Sequence, residues 1–127
     1  MKILIVDDDK VSSNYLLKIF SKYGTCDIAV NGIEAVDAFL LALDEGHPYD
    51  LISLDLMLPL FDGEDVLATI RKVEHDRKLE MAKRVKVVIT SALFDRELTD
   101  KLAQYGFEEY FTKPIDANKI SNYIKQL

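Results

Sequence analysis

The chain has no tryptophan, one cysteine, three prolines and five glycines in 127 residues. A single thiol, Cys26, cannot close an internal disulfide, and a zinc site built on thiolates is excluded with it. So little glycine and proline argues against wholesale disorder, because linker-like and low-complexity segments are rich in both. Positive charge is in deficit: 16 Lys and Arg face 22 Asp and Glu, a net charge of −6. A nucleic-acid or anionic-membrane surface needs clustered basic residues, so neither direct nucleic-acid binding nor membrane insertion is expected. Long apolar runs are missing too. None approaches the roughly 18 residues of a membrane span, and the greasiest, Ala38–Leu43, is stopped by Asp44 and Glu45. The apolar run from Ile3 to Val6 is far too short for a signal peptide before Asp7 intervenes. What is present is 49% hydrophobic residues, enough for one core at about 100–200 residues per domain. These features predict a soluble, acidic, cytoplasmic protein with one domain over residues 1–127.

Short β-like runs alternate with longer helical ones. Lys2–Val6, Cys26–Val30, Leu51–Leu54, Val85–Thr90 and Gly106–Phe111 read as strands, mostly the continuous apolar runs of strands buried on both faces. Val11, Tyr15, Ile19 and Tyr23 recur every fourth residue, with Leu16 and Phe20 on the neighbouring stripe. Val36, Phe39, Leu40 and Leu43 mark a second helix, and Gly63, Val66, Leu67 and Ile70 a third. Leu98 and Leu102 mark a fourth, after Phe94; Ile120, Tyr123, Ile124 and Leu127 mark a fifth that runs to the C-terminus. Asn31-Gly32 is a turn signal where left-handed backbone is cheap. The charged segment Arg71–Lys86 reads as the solvated end of the third helix and a loop, with a partner-binding arm as the alternative. Five strand–helix pairs in strict alternation predict an α/β fold, a doubly wound parallel sheet with helices on both faces.

In such sheets ligands bind beyond the carboxyl ends of the strands, so the residues following each strand matter most. Strand one is followed by Asp7, Asp8 and Asp9; strand three ends on Asp55, strand four on Thr90 and Ser91, strand five on Thr112 and Lys113. Each has a bland reading. Asp after a strand caps the next helix, which is preferred for Asp9; Ser91 alone is a loop hydroxyl, and Lys113 alone a solvated cation before a helix opened by Pro114. Those readings do not explain why four strand ends carry complementary chemistry. Carboxylates about 4 Å apart repel by roughly 4 kcal/mol at an effective dielectric of 20. Asp7, Asp8 and Asp55 should therefore recruit a cation, and an all-oxygen donor set favours Mg²⁺, Mn²⁺ or Ca²⁺. A lysine and a hydroxyl facing the same point complete a cradle for phosphoryl oxygens, and Asp is itself a covalent phosphoryl acceptor.

The chain resembles the receiver domains of two-component response regulators, of the single-domain chemotaxis type, over essentially its whole length. The resemblance rests on Ile3-Leu4-Ile5-Val6-Asp7-Asp8-Asp9, Asn31-Gly32-Ile33-Glu34-Ala35 and Tyr49-Asp50-Leu51-Ile52-Ser53-Leu54-Asp55-Leu56-Met57-Leu58-Pro59. Asp62-Gly63, Thr90-Ser91-Ala92 and Tyr110-Phe111-Thr112-Lys113-Pro114 follow in the family's order. It implies a flavodoxin-like (βα)5 fold with strand order 2-1-3-4-5. It implies that Asp55 accepts a phosphoryl group from a histidine kinase or phosphotransfer protein. Asp7, Asp8, Asp55 and the Met57 carbonyl would bind Mg²⁺, Lys113 would pair with a phosphoryl oxygen, and Ser91 and Tyr110 would form the switch. Catalysis would extend only to the protein's own phosphoryl transfer and dephosphorylation. The Lys113–Pro114 bond is expected to be cis. Leu60 departs from the pattern, standing where a glycine is often found, and Ser91 is the smaller of the two usual hydroxyls.

Two rivals are weaker. A phosphatase of the haloacid-dehalogenase type resembles Asp-x-Asp after the first strand, but Asp7-Asp8-Asp9 runs straight into a helix with no room for a cap. A degenerate receiver used only as a scaffold would lack part of the set that is complete here. A flavin binder is unsupported, since no hydroxyl- and glycine-rich phosphate loop follows the first strand. The signal is expected to leave through the face of the fourth helix, fifth strand and fifth helix to a downstream protein effector, or the chain is a domain of a larger protein. Met57 and Leu93, both apolar, are expected to flank the path of a hydrolytic water and prolong the phosphorylated state.

Overall fold

Successive residues of a strand face opposite sides of its sheet, and this alternation sorts the apolar residues into two cores. The structure, a computed structural model, describes every residue except Leu93, so the expectation placed on that side chain lies outside the described residues. Five strands, β1 (Lys2–Val6), β2 (Thr25–Ala29), β3 (Leu51–Asp55), β4 (Lys86–Ser91) and β5 (Glu109–Thr112), alternate with α1 (Lys10–Phe20), α2 (Gly32–Asp44), α3 (Gly63–Asp76), α4 (Arg96–Ala103) and α5 (Ala117–Lys125). All strand pairings are parallel, in the order β2-β1-β3-β4-β5. This is the flavodoxin-like arrangement, whose order reverses between β1 and β3.

Ile3 and Ile5 of β1, with Leu51 and Val88, meet Leu16, Ile19 and Phe20 of α1 and Ile120 and Ile124 of α5. Leu4 and Val6, with Ile52, Leu54, Val87 and Ile89, pack on the other face against α2, α3 and Leu102 of α4. That double burial is why β1 reads as an uninterrupted apolar run and Leu51–Leu54 of β3 as one broken only by the buried Ser53. The edge strand β2 is mostly exposed, hence its dilution by Thr25 and Asp27.

Several expectations need correction. In α1 the buried stripe is Ser13, Leu16, Ile19 and Phe20, while Val11 is 77% and Tyr15 44% exposed. Of the four-residue repeat only Ile19 joins the buried stripe; Val11 and Tyr15 lie on the flank, and Tyr23 lies beyond the end of the helix. Burial in α2 centres on Ala35, Phe39 and Ala42, with Val36 and Leu43 alongside. Strand β5 starts at Glu109 rather than Gly106, because the chain is still turning at Gly106, whose φ is +86°. Helix α5 ends at Lys125, short of the C-terminal residue. Neither Asn31 nor Gly32 has positive φ; Asn31 instead caps α2, its Oδ1 accepting from the Glu34 N–H at 2.8 Å. Within the charged segment, Glu74 is fully buried rather than solvated. Its carboxylate accepts from Arg71 at 2.8 Å and from the Val85 N–H at 2.7 Å. Arg71 also donates to the carbonyls of Val85, Tyr105 and Gly106, so one buried pair ties α3 to the starts of β4 and β5.

Candidate functional site

Strand β1 delivers Asp7 to the carboxyl edge of the sheet, where it is fully buried. Its Oδ1 accepts from the Asp9 N–H at 2.9 Å and its Oδ2 from Lys113 Nζ at 3.0 Å. Asp8, next in the chain, is exposed. Asp9 caps α1, accepting from the Ser12 N–H at 3.2 Å and the Ser12 hydroxyl at 2.8 Å, as expected of it. Those bonds, the hydroxyl first, hold the Asp9 carboxyl below its ordinary pKa.

Asp55 closes β3 and is 4% exposed. The Met57 N–H donates to its Oδ1 at 3.1 Å, and Lys113 Nζ lies 3.3 Å from its Oδ2. Gly63 makes this packing possible: a Cβ there would lie 2.6 Å from both the Asp55 carbonyl oxygen and the Leu56 Cα, so only glycine lets α3 begin so near the strand end. Burial pushes the Asp55 carboxyl above the ordinary carboxylate value, and Asp7 pushes the same way; the Met57 N–H and Lys113 pull it back down. For Lys113 the balance is different. Burial works against its charge, yet its hydrogen bond to Asp7 and the attraction of both carboxylates hold the ammonium above its usual value.

Asp7, Asp8 and Asp55 each offer an oxygen within 4.8 Å of the others. Three carboxylates and one ammonium leave up to two negative charges, which one divalent cation would balance. The donors are all oxygen, and the mixture of two buried carboxylates with an exposed one leaves an open side for water or a further ligand. The residues present therefore fit a hard divalent cation.

Ser91 ends β4 at the same edge, 3% exposed and in register with Thr112 of β5. Its carbonyl accepts from the Lys113 N–H at 2.7 Å, so the hydroxyl-bearing and ammonium-bearing residues are tied through the backbone. The Lys113–Pro114 peptide is cis, as expected. Met57 points its side chain to solvent, 65% exposed, and reaches Asp55 only through its backbone. Tyr110 is not in the carboxylate cluster. It sits half-buried on β5, edge-on to Phe94 at 5.5 Å and Phe107 at 6.4 Å between ring centroids. Beside Lys113 the outward residues of α1 make something the periodicity did not suggest. Val11 and Tyr15 line, with Pro114 and Ile115, an apolar groove of about 390 Å³. No sequence signal marked it: the core stripe is shifted away from Val11 by the buried Ser13, a polar residue that by itself reads as surface.

A doubly wound α/β domain with an acidic, lysine-bridged cluster at its carboxyl edge is a class defined by geometry alone. Sequence comparison gives the family: the profile of the response regulator receiver domain matches residues 3–125. The chain belongs to the response regulator receiver domain family, the signalling switches of two-component systems. It is 34% identical over 121 residues to the chemotaxis protein CheY of Treponema pallidum, covering 94% of this chain and 76% of that one. Among solved structures it is similar to a Saccharomyces cerevisiae complex of the histidine phosphotransfer protein Ypd1 with the receiver domain of Ssk1, with TM-score 0.82 and 26% identity over 99% of this chain and 87% of that one. It is also similar to the CheX-CheY-BeF3-Mg complex from Borrelia burgdorferi, with TM-score 0.80 and 25% identity over 99% and 87%. Some relatives are far longer: the chain spans 4% of hybrid signal transduction histidine kinase G of Dictyostelium discoideum. Among the described residues no helix is long and apolar enough to cross a membrane.

Proposed function

We propose that residues 1–127 act as one receiver unit that takes a phosphoryl group onto Asp55 from a histidine kinase or phosphotransfer protein. The observation that carries this is Lys113, whose ammonium bridges buried Asp7 and Asp55 while Asp8 remains open to solvent. A carboxylate oxygen of Asp55 attacks phosphorus, and the bond from phosphorus to the donor imidazole breaks, leaving its electron pair on nitrogen. Attack needs the ionised carboxylate, which Lys113 and the Met57 N–H favour against burial. Lys113 is placed to follow the incoming phosphoryl oxygens as charge develops on them. Asp7, Asp8, Asp55 and the Met57 carbonyl would hold Mg²⁺, which when bound supplies charge neutralisation at the phosphoryl oxygens. The complexes of similar proteins with a phosphotransfer protein and with Mg support both donor and cofactor. The groove of Val11, Tyr15, Pro114 and Ile115 opens beside the acceptor and suits an apolar donor surface.

Output is assigned to the face of α4, β5 and α5. Helix α4 buries only Leu102, so it is the helix most easily shifted. Ser91 would move toward the phosphoryl group and Tyr110 would turn inward, shifting a pre-existing equilibrium toward the form that engages a downstream protein effector. The unit would turn over no substrate beyond its own phosphoryl group, and its place would be the cytoplasm. Incubation with a small acyl-phosphate donor and Mg²⁺, followed by mass spectrometric mapping, should place the modification on Asp55. Asp55→Asn should abolish labelling with the fold intact; equal labelling of that variant would overturn the assignment.

A further inference from the structure

The molecule's charge is strongly segregated, and the segregation coincides with a cavity that phosphoryl transfer does not use. Residues 71–86 hold seven of the sixteen basic residues but three of the twenty-two acidic ones, so this segment carries +4 and the remainder −10. Part of that charge is consumed internally: Arg71 pairs with Glu74, Lys72 with Asp76 and Arg77 with Asp44. Among the described residues, no carboxylate lies within ion-pair distance of Lys83, Arg84 or Lys86. These three line the rim of a cavity of about 640 Å³ whose floor is made by Leu43, Tyr49 and Leu79. Asp50 and Leu127 also line it; the Asp50 carboxylate already accepts from the Lys2 N–H at 2.7 Å, and the carboxylate of Leu127 is balanced by the ammonium of Met1 on the same lining.

The cavity lies at the amino-terminal edge of the sheet, since Lys86 opens β4 and Asp50 directly precedes β3. Asp55, at the other end of the five-residue β3, is therefore about 16 Å away at roughly 3.3 Å per residue. We infer that this cavity is a docking site for an acidic protein segment carrying an apolar anchor. The anchor would sit on Leu43, Tyr49 and Leu79, and its flanking carboxylates would meet Lys83, Arg84 and Lys86. Charge complementarity sets the choice. Elsewhere the surface is acidic and repels such a segment, whereas cations at the mouth of a low-dielectric cleft focus the attraction. An anchor in the apolar floor is what separates a segment of this kind from a polyanion attracted by charge alone. Because the two edges are a strand length apart, a partner held here leaves the mouth of Asp55 open. It would tether the receiver while phosphoryl transfer proceeds.

The test uses the whole chain and a labelled peptide with glutamates on both sides of a central Leu-Leu pair. Fluorescence anisotropy should show saturable binding that weakens as salt rises. Amide shifts should change at Tyr49, Leu79 and Lys83–Lys86 and stay still at Asp7, Asp55 and Lys113. Lys83→Glu with Lys86→Glu, both exposed positions, should weaken binding by about tenfold or more while leaving acyl-phosphate labelling of Asp55 intact. Replacing the Leu-Leu pair by Ala-Ala should also weaken it. Absence of saturable binding, shifts confined to the other edge, or equal affinity in the double variant would overturn the inference. So would a single-stranded oligonucleotide that binds the same residues as tightly, because the occupant would then be a polyanion without an anchor.

Discussion

Removing the charge of Asp55 should stabilise the cation-free protein, although the residue is a buried hydrogen-bonding group. In Asp55→Asn the shape and one acceptor oxygen are kept, so the change reports mainly on charge. At 4.8 Å, the outer limit of the cluster, each of Asp7 and Asp8 repels an ionised Asp55 by about 3.5 kcal/mol at an effective dielectric of 20. Lys113 at 3.3 Å attracts it by about 5 kcal/mol on the same scale. Asp8 is exposed, so water screens its share and the charges come close to balance; desolvation of the buried carboxylate then tips the sum against the ionised form. The direction agrees with the raised pKa of Asp55, in which burial is the leading cause. The sign with pH follows from linkage. A carboxyl whose folded pKa lies above its unfolded one binds more protons when folded, so it costs stability as pH rises from about 4 through the folded value. Below about pH 4 both proteins carry a neutral group and should be nearly equally stable. The gap should then open with rising pH and level off at about 1–3 kcal/mol, a gain of several degrees in Tm for a chain of this size. Urea denaturation of both proteins between pH 4 and 8, without divalent cations, measures it. A variant less stable than the wild type at neutral pH, or two parallel pH curves, would refute the reasoning.

Two further outcomes follow from the same geometry. Millimolar Mg²⁺, binding only the native state, should raise Tm by mass action and do so much less in Asp8→Ala; an identical rise in both would remove Asp8 from the site. Leu60 has φ +70° and is 77% exposed, so it bears left-handed backbone strain with little burial to offset it. Leu60→Gly should therefore relieve about 1–2 kcal/mol of strain, less about 0.5–1 kcal/mol for the looser unfolded chain, and raise the urea midpoint slightly; a lowered midpoint would contradict this.

The sequence by itself determined the elements, their alternation and the chemistry at each strand end. Apolar runs such as Ile3–Val6, and Leu51–Leu54 with Ser53 as its one polar residue, declare burial on both faces, because a strand's period of two leaves no residue facing water when helices cover both sides. Parallel topology then carries the strand ends to one edge, which is why Asp7, Asp55, Ser91 and Lys113 could be grouped although Asp7 and Lys113 are 106 residues apart in the chain. Leu60 also left a trace, as a branched residue in a position the family resemblance marks for glycine, but its positive φ is a property of the folded loop. Other features were decided only by tertiary structure, where a residue's surroundings come from distant segments. Glu74 has the composition of a solvated helix end, yet it is fully buried because Arg71 and the Val85 N–H converge on it. Val11 and Tyr15 repeat like core residues, yet they face outward because Ser13 and Leu16 take the side that meets the sheet and α5. The raised pKa of Asp55 arises likewise from burial under segments that β3 alone cannot supply, with Lys113 opposing the shift from the far end of the chain. Local pattern names the residue types that a position can take; which neighbour each one meets is set by packing between elements far apart in the chain.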